Sequence, residues 1–295
     1  MTAPVLADAL GPRARRRALV ASVVASLVIL AGVLVFIERL QDSGQLEAGK
    51  WRPLVQWPVV KFFLGGLVNT IKAASTAMAI AVVVGGVFAL ARLARHRPQR
   101  WLGTLYVEFF RGLPLYVLIL FCKFGLPRLD VRVSTFWALV IGLSLYNSSV
   151  LAEIFRAGIL SLDRGQSEAA SALGLGYWQS MLYVIVPQAV RRMVPAIVSQ
   201  LVTLLKDTSL GVLIFYEELL RRARISAEFY QNTLQSLVVV AIVYIAVNSA
   251  LSAVATRLET RQRRRYGAGR LRVTGLEDLA LTEAKAGAAA APERR

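Results

Sequence analysis

Six long stretches almost free of charge constrain this chain more than any other feature. They run Ala18–Ile37, Leu64–Ala91, Leu105–Phe124, Thr135–Phe155, Val194–Phe215 and Leu234–Leu258. A helix needs about twenty predominantly apolar residues to cross the hydrocarbon core of a bilayer, so each stretch predicts a transmembrane helix. A soluble domain does not repeat such runs; here 56% of 295 residues are hydrophobic and mean hydropathy is +0.54. The predicted fold class is all-α and membrane-embedded, with six transmembrane helices. The first stretch follows Arg13, Arg15, Arg16 and Arg17, as a signal peptide follows its charged start. Yet its apolar run is long and ends in Phe36-Ile37-Glu38, with no small-residue cleavage site, so a retained helix is expected.

Charge then predicts orientation. The net charge of +17 is gathered in clusters at Arg13–Arg17, Arg92–Arg100, Arg156–Arg192 and Arg257–Arg272. Short loops rich in Lys and Arg stay on the cytoplasmic side, and only a cytoplasmic amino terminus puts all four clusters there. The outer loops Glu38–Phe63, Gly125–Ser134 and Tyr216–Thr233 then carry mixed charge. Residues 1–17 form a basic cytoplasmic start. Residues 260–295 turn polar and Ala-rich without an apolar face, the composition of a disordered cytoplasmic tail. The same distribution argues against nucleic acid as a partner, which would call for a basic face on a soluble domain. Cys122 is the sole cysteine and His96, in a basic loop, the sole histidine, so an internal disulfide or a Cys-based metal site is excluded.

The longest predicted cytoplasmic loop lies between the fourth and fifth stretches, from Arg156 to Pro195. Ser167 is expected to cap a short helix through Leu173, with Glu168 in the first turn where the helix dipole favours an acid. Gly174 and Gly176 can end that helix by admitting a left-handed residue. A second amphipathic stretch, Tyr177–Val186, precedes Pro187, which makes a helix–Gly–helix elbow against the inner membrane face. By shape alone it is equally an interfacial connector.

Polar and ionisable groups at membrane depth are expensive and therefore candidates for function. Lys206 and Asp207 stand about twelve residues into the fifth stretch, roughly 18 Å along a helix. Neighbours on a helix point about 100° apart, so the two do not simply face each other. Thr208 follows them, and Asn147 and Ser148 fall within the fourth stretch. For Asp207 and Asn147, bonding to another helix and contact with a ligand both stand as readings; Lys206 suits a substrate carboxylate. Glu153 with Arg156, and Glu108 with Arg111, are three apart and are expected to form structural ion pairs, with Pro114 bending the third helix above them.

The spacing Glu168-Ala169-Ala170, Gly174, Ile185, Pro187 resembles the EAA loop of bacterial ABC importer permeases. Further segments resemble the polar amino acid subfamily: Gly66-Leu67-Val68-Asn69-Thr70, Glu108–Leu115, Ala152–Ile159 and Leu205–Leu210. The resemblance covers about Leu64 to Glu259, five spans. It implies a five-helix type I importer core in which this loop is the coupling helix that seats on an ATPase subunit. Glu168 would make the contact, Ala169 and Ala170 would allow close approach, and Gly174 would give the bend. Residues 18–63, the first helix with its external loop, lie outside the resemblance and add one peripheral helix. The implied partners are an ATPase homodimer, a second permease subunit (this chain or a related one), an extracytoplasmic solute-binding protein, membrane lipid and an amino acid. Among subfamily members the segments Glu108–Gly112, Ser134–Leu139 and Tyr216–Arg222 look like actinobacterial glutamate permeases; glutamine, aspartate, arginine and histidine are alternatives, as is a non-transport scaffold. Two departures, Leu113 where Thr is usual and Leu118 where Gln is usual, remove polarity near the presumed pathway.

Rival classes fare worse. The residues show no convergent acid, base or metal set for a membrane enzyme, and no repeated filter segment for a channel. No Gly-x-x-x-x-Gly-Lys-Ser/Thr loop is present, so no cofactor is expected on this chain: ATP and Mg would sit in a partner ATPase.

Overall fold

The computed structural model describes residues 11–258 and 260, so the first ten residues and the predicted disordered tail beyond Thr260 lie outside the described residues. Regular structure among them is helical throughout. Helix α1 is Pro12–Asp42, α2 is Trp57–Leu93 and α3 is Arg97–Gly112. Segment α4, Leu115–Leu129, starts as an α-helix, loosens to a π-turn over Phe121–Gly125 and closes as 3-10 over Leu126–Leu129. Then come α5, Thr135–Leu160; α6, Arg164–Ala172; α7, Tyr177–Ile214; α8, Leu219–Tyr230; and α9, Thr233–Leu258. Five helices are long and apolar enough to cross a bilayer, or six when α3 and α4 count as one broken span.

The chain divides into two compact units. One holds the described residues up to Val60 with Arg224–Leu237. Its α1 is exposed from Arg15 to Arg39, so its apolar side chains are left for lipid or another chain. Polar side chains knit the rest of this unit: Asn232 donates to the Lys50 carbonyl at 2.9 Å and Gln235 to that of Gln45 at 2.5 Å.

The other unit, Lys61–Ala223 with Val238 onward, carries the main core. Helix α2 presents Ala73, Ala77, Ala81, Gly85 and Ala89 at every fourth position, and the four alanines are fully buried. Small residues at that spacing let membrane helices approach closely, where dispersion and not water exclusion does the work. At Gly85 the approach is complete: a Cβ there would stand 2.7 Å from the Ser148 carbonyl oxygen of α5. Thr70 and Arg92 stand about 33 Å apart along this helix at 1.5 Å per residue, close to the thickness of a bilayer core.

Three sequence expectations change. The third apolar stretch is not one helix: α3 and α4 meet at 97°. Leu113 is extended (φ −87°, ψ 136°) because the ring of Pro114 crowds the preceding residue out of helical space, and Pro114 has no N–H to continue the ladder. Helix α6 begins four residues earlier than expected. Its cap is Asp163, which accepts from the Gly165 N–H at 2.9 Å, while Ser167 sits inside the helix and donates to the Arg164 carbonyl. Lastly, Pro187 does not end the second stretch. A π-turn over Ser180–Ile185 leads directly into Val186–Asp207, and the wider turn just before Pro187 lets the helix pass a residue that has no N–H to give. Helix α7 thus runs unbroken from the elbow into the fifth span.

Candidate functional site

Two places concentrate polar chemistry. The first is the elbow, whose helix α6 ends in a Schellman motif. The Leu175 N–H reaches the Ala170 carbonyl and the Gly174 N–H that of Ser171, with Gly174 at φ +79°. Only glycine adopts that left-handed geometry at little cost. Glu168, Ala169, Gly174 and Pro187 are exposed, whereas Ala170 and Ile185 are buried against the body. Leu173 is 82% exposed and Tyr183 76%, so an acid, small residues and large apolar groups share one open surface.

The elbow is also tied to the spans. Tyr177 donates its hydroxyl to the Leu93 carbonyl at 2.5 Å, and its ring lies 4.6 Å under the Arg95 guanidinium. Gln188 of α7 donates to Gln166 of α6 at 3.0 Å, and Arg192 to the Ser161 carbonyl at 3.2 Å. Gln166 thus bonds α6 to α7, while Tyr177 and Arg192 bond α7 to the end of α2 and the end of α5.

The second place is a groove of about 650 Å³ between α7 and α9, lined in part by Lys206, Tyr244, Asn248, Ser249 and Ser252. Lys206 is exposed there, about 21 Å along α7 from Arg192. Asn248 donates to the Tyr244 carbonyl, while its Oδ1 is buried without a hydrogen-bond partner. A buried carbonyl oxygen in that state costs about 1–3 kcal/mol.

The other candidate pathway residues lie elsewhere. Asn147 is fully buried, donating to the Leu143 carbonyl and accepting from Gln200 at 2.8 Å each. Ser148 bonds the Tyr106 hydroxyl at 2.7 Å, and Thr208 donates to the Leu205 carbonyl at 2.6 Å. Asp207, half-buried, ends the α-helical part of α7 beside Lys206. The ion pairs are also redistributed. Glu153 meets Arg156 at 3.1 Å, as its spacing predicts, but it also takes Arg92 at 2.6 Å and Arg111 at 3.2 Å. The expected Glu108–Arg111 pair gives way: Arg111 turns to Glu153, and Glu108 lies 4.0 Å from Arg92. Glu153 is the less solvated carboxylate, so the guanidinium gains more there than at exposed Glu108.

One carboxylate emerges from an unremarkable loop. Glu218 is fully buried; it accepts from the Leu220 and Arg221 N–H groups at 2.8 and 2.7 Å, capping α8, and from the Tyr244 hydroxyl at 3.0 Å. Burial outweighs these bonds and pushes its pKa up to about 7. Gln200 and Asn248 are not among the candidates read from the sequence, although an amide inside an apolar run is a signal that could have found them; Glu218, one of several loop charges, gives no such signal.

The family model described as binding-protein-dependent transport system inner membrane component matches residues 81–264. The chain belongs to this family. The permease is 40% identical over 239 residues to the glutamate transport system permease protein GluD of Corynebacterium glutamicum, covering 79% of this chain and 85% of that one. It is 38% identical over 208 residues to the probable glutamine ABC transporter permease protein GlnP of Bacillus subtilis, covering 68% and 94%. Among solved structures, an amino acid ABC transporter crystallised with histidines matches at a TM-score of 0.67 and 30% identity, over 72% of the permease and 98% of that chain. Members of this family are transport subunits, so the permease is not an enzyme.

Proposed function

We propose that the permease is the membrane half of an ATP-driven importer for polar amino acids, glutamate foremost, and that α6 couples it to a separate ATPase pair that binds ATP and Mg. The observation that carries this reading is the elbow. Exposed Glu168 and Ala169 stand beside a glycine-built bend, and side-chain bonds tie that surface to three spans. Its place among the clusters Arg92–Arg100 and Arg156–Arg192 supports a cytoplasmic position by the positive-inside rule, with both termini on that side. A second permease subunit would complete the pathway, and an extracytoplasmic binding protein would deliver the amino acid. Alternating access follows when closure of the ATPase pair pushes α6 and the spans rock with it.

Glutamate is supported by the 40% identity to the corynebacterial glutamate permease and by the chemistry of the groove. Lys206 offers a cation to a substrate carboxylate, and Ser249 and Ser252 line the same groove with hydroxyls. The 38% identity to a glutamine permease favours a second reading, in which the same groove takes an amide side chain. Uptake of radiolabelled glutamate by a deletion strain carrying the permease and its operon partners separates them. Glutamate uptake inhibited by cold glutamate and aspartate, and little by glutamine or arginine, is the expected result. Labelled glutamate uptake no higher than in the deletion strain, with labelled glutamine or arginine taken up instead, removes the glutamate assignment.

A further inference from the structure

The right-angle break at Leu113-Pro114 gives α3 a task the transport reading does not use. Segment α4 runs from the Arg92 end of the bundle toward the opposite end, where Lys123 bonds Thr135 at the start of α5. Its fifteen residues, Leu115–Leu129, rise about 22 Å. If α4 follows the membrane normal, then α3, at 97° to it, lies in the plane of the membrane. The contacts of α3 agree. Gly103 lies against Arg92, Tyr106 stacks on Phe88 at 3.6 Å and bonds Ser148, and Arg111 reaches Glu153. While α3 advances from 103 to 111, its partners stay within Phe88–Arg92 and Ser148–Glu153, a narrow level on both neighbouring helices.

At 100° per residue α3 divides into three sectors, each roughly 100° wide. Gly103, Tyr106, Val107 and Phe110 face the bundle, with Val107 fully buried. Trp101, Leu102, Leu105 and Phe109 form a second sector, each 50% or more exposed. Arg97, Arg100, Thr104, Glu108 and Arg111 form the third. A helix with one core face, one bare apolar face and one cationic face is the pattern of an element lying at the headgroup level of a bilayer. Of its cations, Arg111 is engaged by Glu153. Arg97 and Arg100 are exposed, and among the described residues no carboxylate forms a salt bridge with either.

We infer that α3 is an interfacial helix that binds anionic phospholipid, with acyl chains against Trp101, Leu105 and Phe109 and the phosphate held by Arg97 and Arg100. Charge decides the occupant: each arginine near an anionic surface contributes about fivefold in affinity, and a purely apolar partner leaves both unpaired.

The test uses Trp101 as reporter. The full chain with Trp51, Trp57, Trp137 and Trp178 changed to Phe is placed in nanodiscs of phosphatidylcholine with a fixed fraction of phosphatidylglycerol, alone and in the complex it purifies with. Bromine is carried on the acyl chains of one lipid or the other. Brominated phosphatidylglycerol is expected to quench Trp101 several-fold more per molecule than brominated phosphatidylcholine. Arg97→Gln with Arg100→Gln is expected to equalise them, and high salt to narrow the gap. Equal quenching by both lipids in the unsubstituted-arginine protein overturns anionic selection. Absence of quenching, alone or only in the complex, means that protein covers the helix, and overturns the proposal too. No transport step enters this readout, so it stands or falls apart from the importer reading.

Discussion

Polar groups of α5 and those of the α7–α9 groove both sit within apolar spans, yet they are treated oppositely. Around α5 every named group is used: Asn147 with Gln200, Ser148 with Tyr106, and Glu153 with three guanidinium groups. In the groove Lys206 is exposed and Asn248 Oδ1 is buried unpaired. Within a bilayer a satisfied polar group binds helices together, and an unsatisfied one costs free energy that a ligand can recover. On the proposed reading, the first set holds helices together and Lys206 of the second receives the ligand.

Glu153→Ala is expected to have the largest effect on stability. It leaves Arg92, Arg111 and Arg156 facing one another without a counter-charge, at about 3 kcal/mol, toward the lower limit for a fully buried pair because Glu153 keeps some solvent contact. Thermal unfolding in detergent measures it, and an unchanged midpoint would remove the hub from the structural side.

Glu218 adds a pH term. Its carboxyl has a folded pKa of about 7 against 4.5 for the free group, so between those values the folded chain holds a proton that the unfolded chain has lost. Stability is then highest below about pH 4.5 and declines as pH rises to about 7, by up to about 3 kcal/mol from this group alone. Glu218→Gln should flatten that part of the profile in a pH series of unfolding midpoints.

The smaller effects test the contrast itself. Asn147→Ala orphans the Gln200 amide and is expected to cost about 1–3 kcal/mol of stability while changing the KM for uptake little. Lys206→Ala should do the reverse, with stability within about 0.5 kcal/mol as for other exposed sites and KM raised severalfold. If Lys206→Ala unfolds the protein and Asn147→Ala alters only KM, the assignment of the two regions is inverted.

How legible was this in the residues? The long helices were legible because burial in lipid leaves a long uninterrupted run, and α1, α2, α5 and α9 each contain the predicted stretch and exceed it by at most seven residues at an end. The break between α3 and α4 was half legible. Pro114 signals a bend, but apolar Trp101, Leu105 and Phe109 read the same whether they face lipid across the membrane or along its surface. The bend at Gly174 was readable because a left-handed residue leaves a glycine. The start of α6 is not readable in the same way, because Ser and Asp are both good caps and the packed chain selects Asp163 over Ser167. Ion pairs followed tertiary packing: Glu153 and Arg156 share a turn and meet, while Glu108 and Arg111 share a turn and part, since α2 and α5 offer other partners. Unit-charge residues such as Glu218 carry no mark of burial in the sequence at all.

Glu168→Lys tests most directly whether α6 passes work between an ATPase and the spans. Glu168 is exposed, and among the described residues no salt bridge holds its carboxylate, so the unfolding midpoint of the variant should match the parent. In proteoliposomes holding the assembled transporter, glutamate uptake should fall to background, with binding-protein-stimulated ATP hydrolysis lost. Parental uptake together with parental association of the ATPase would contradict the account.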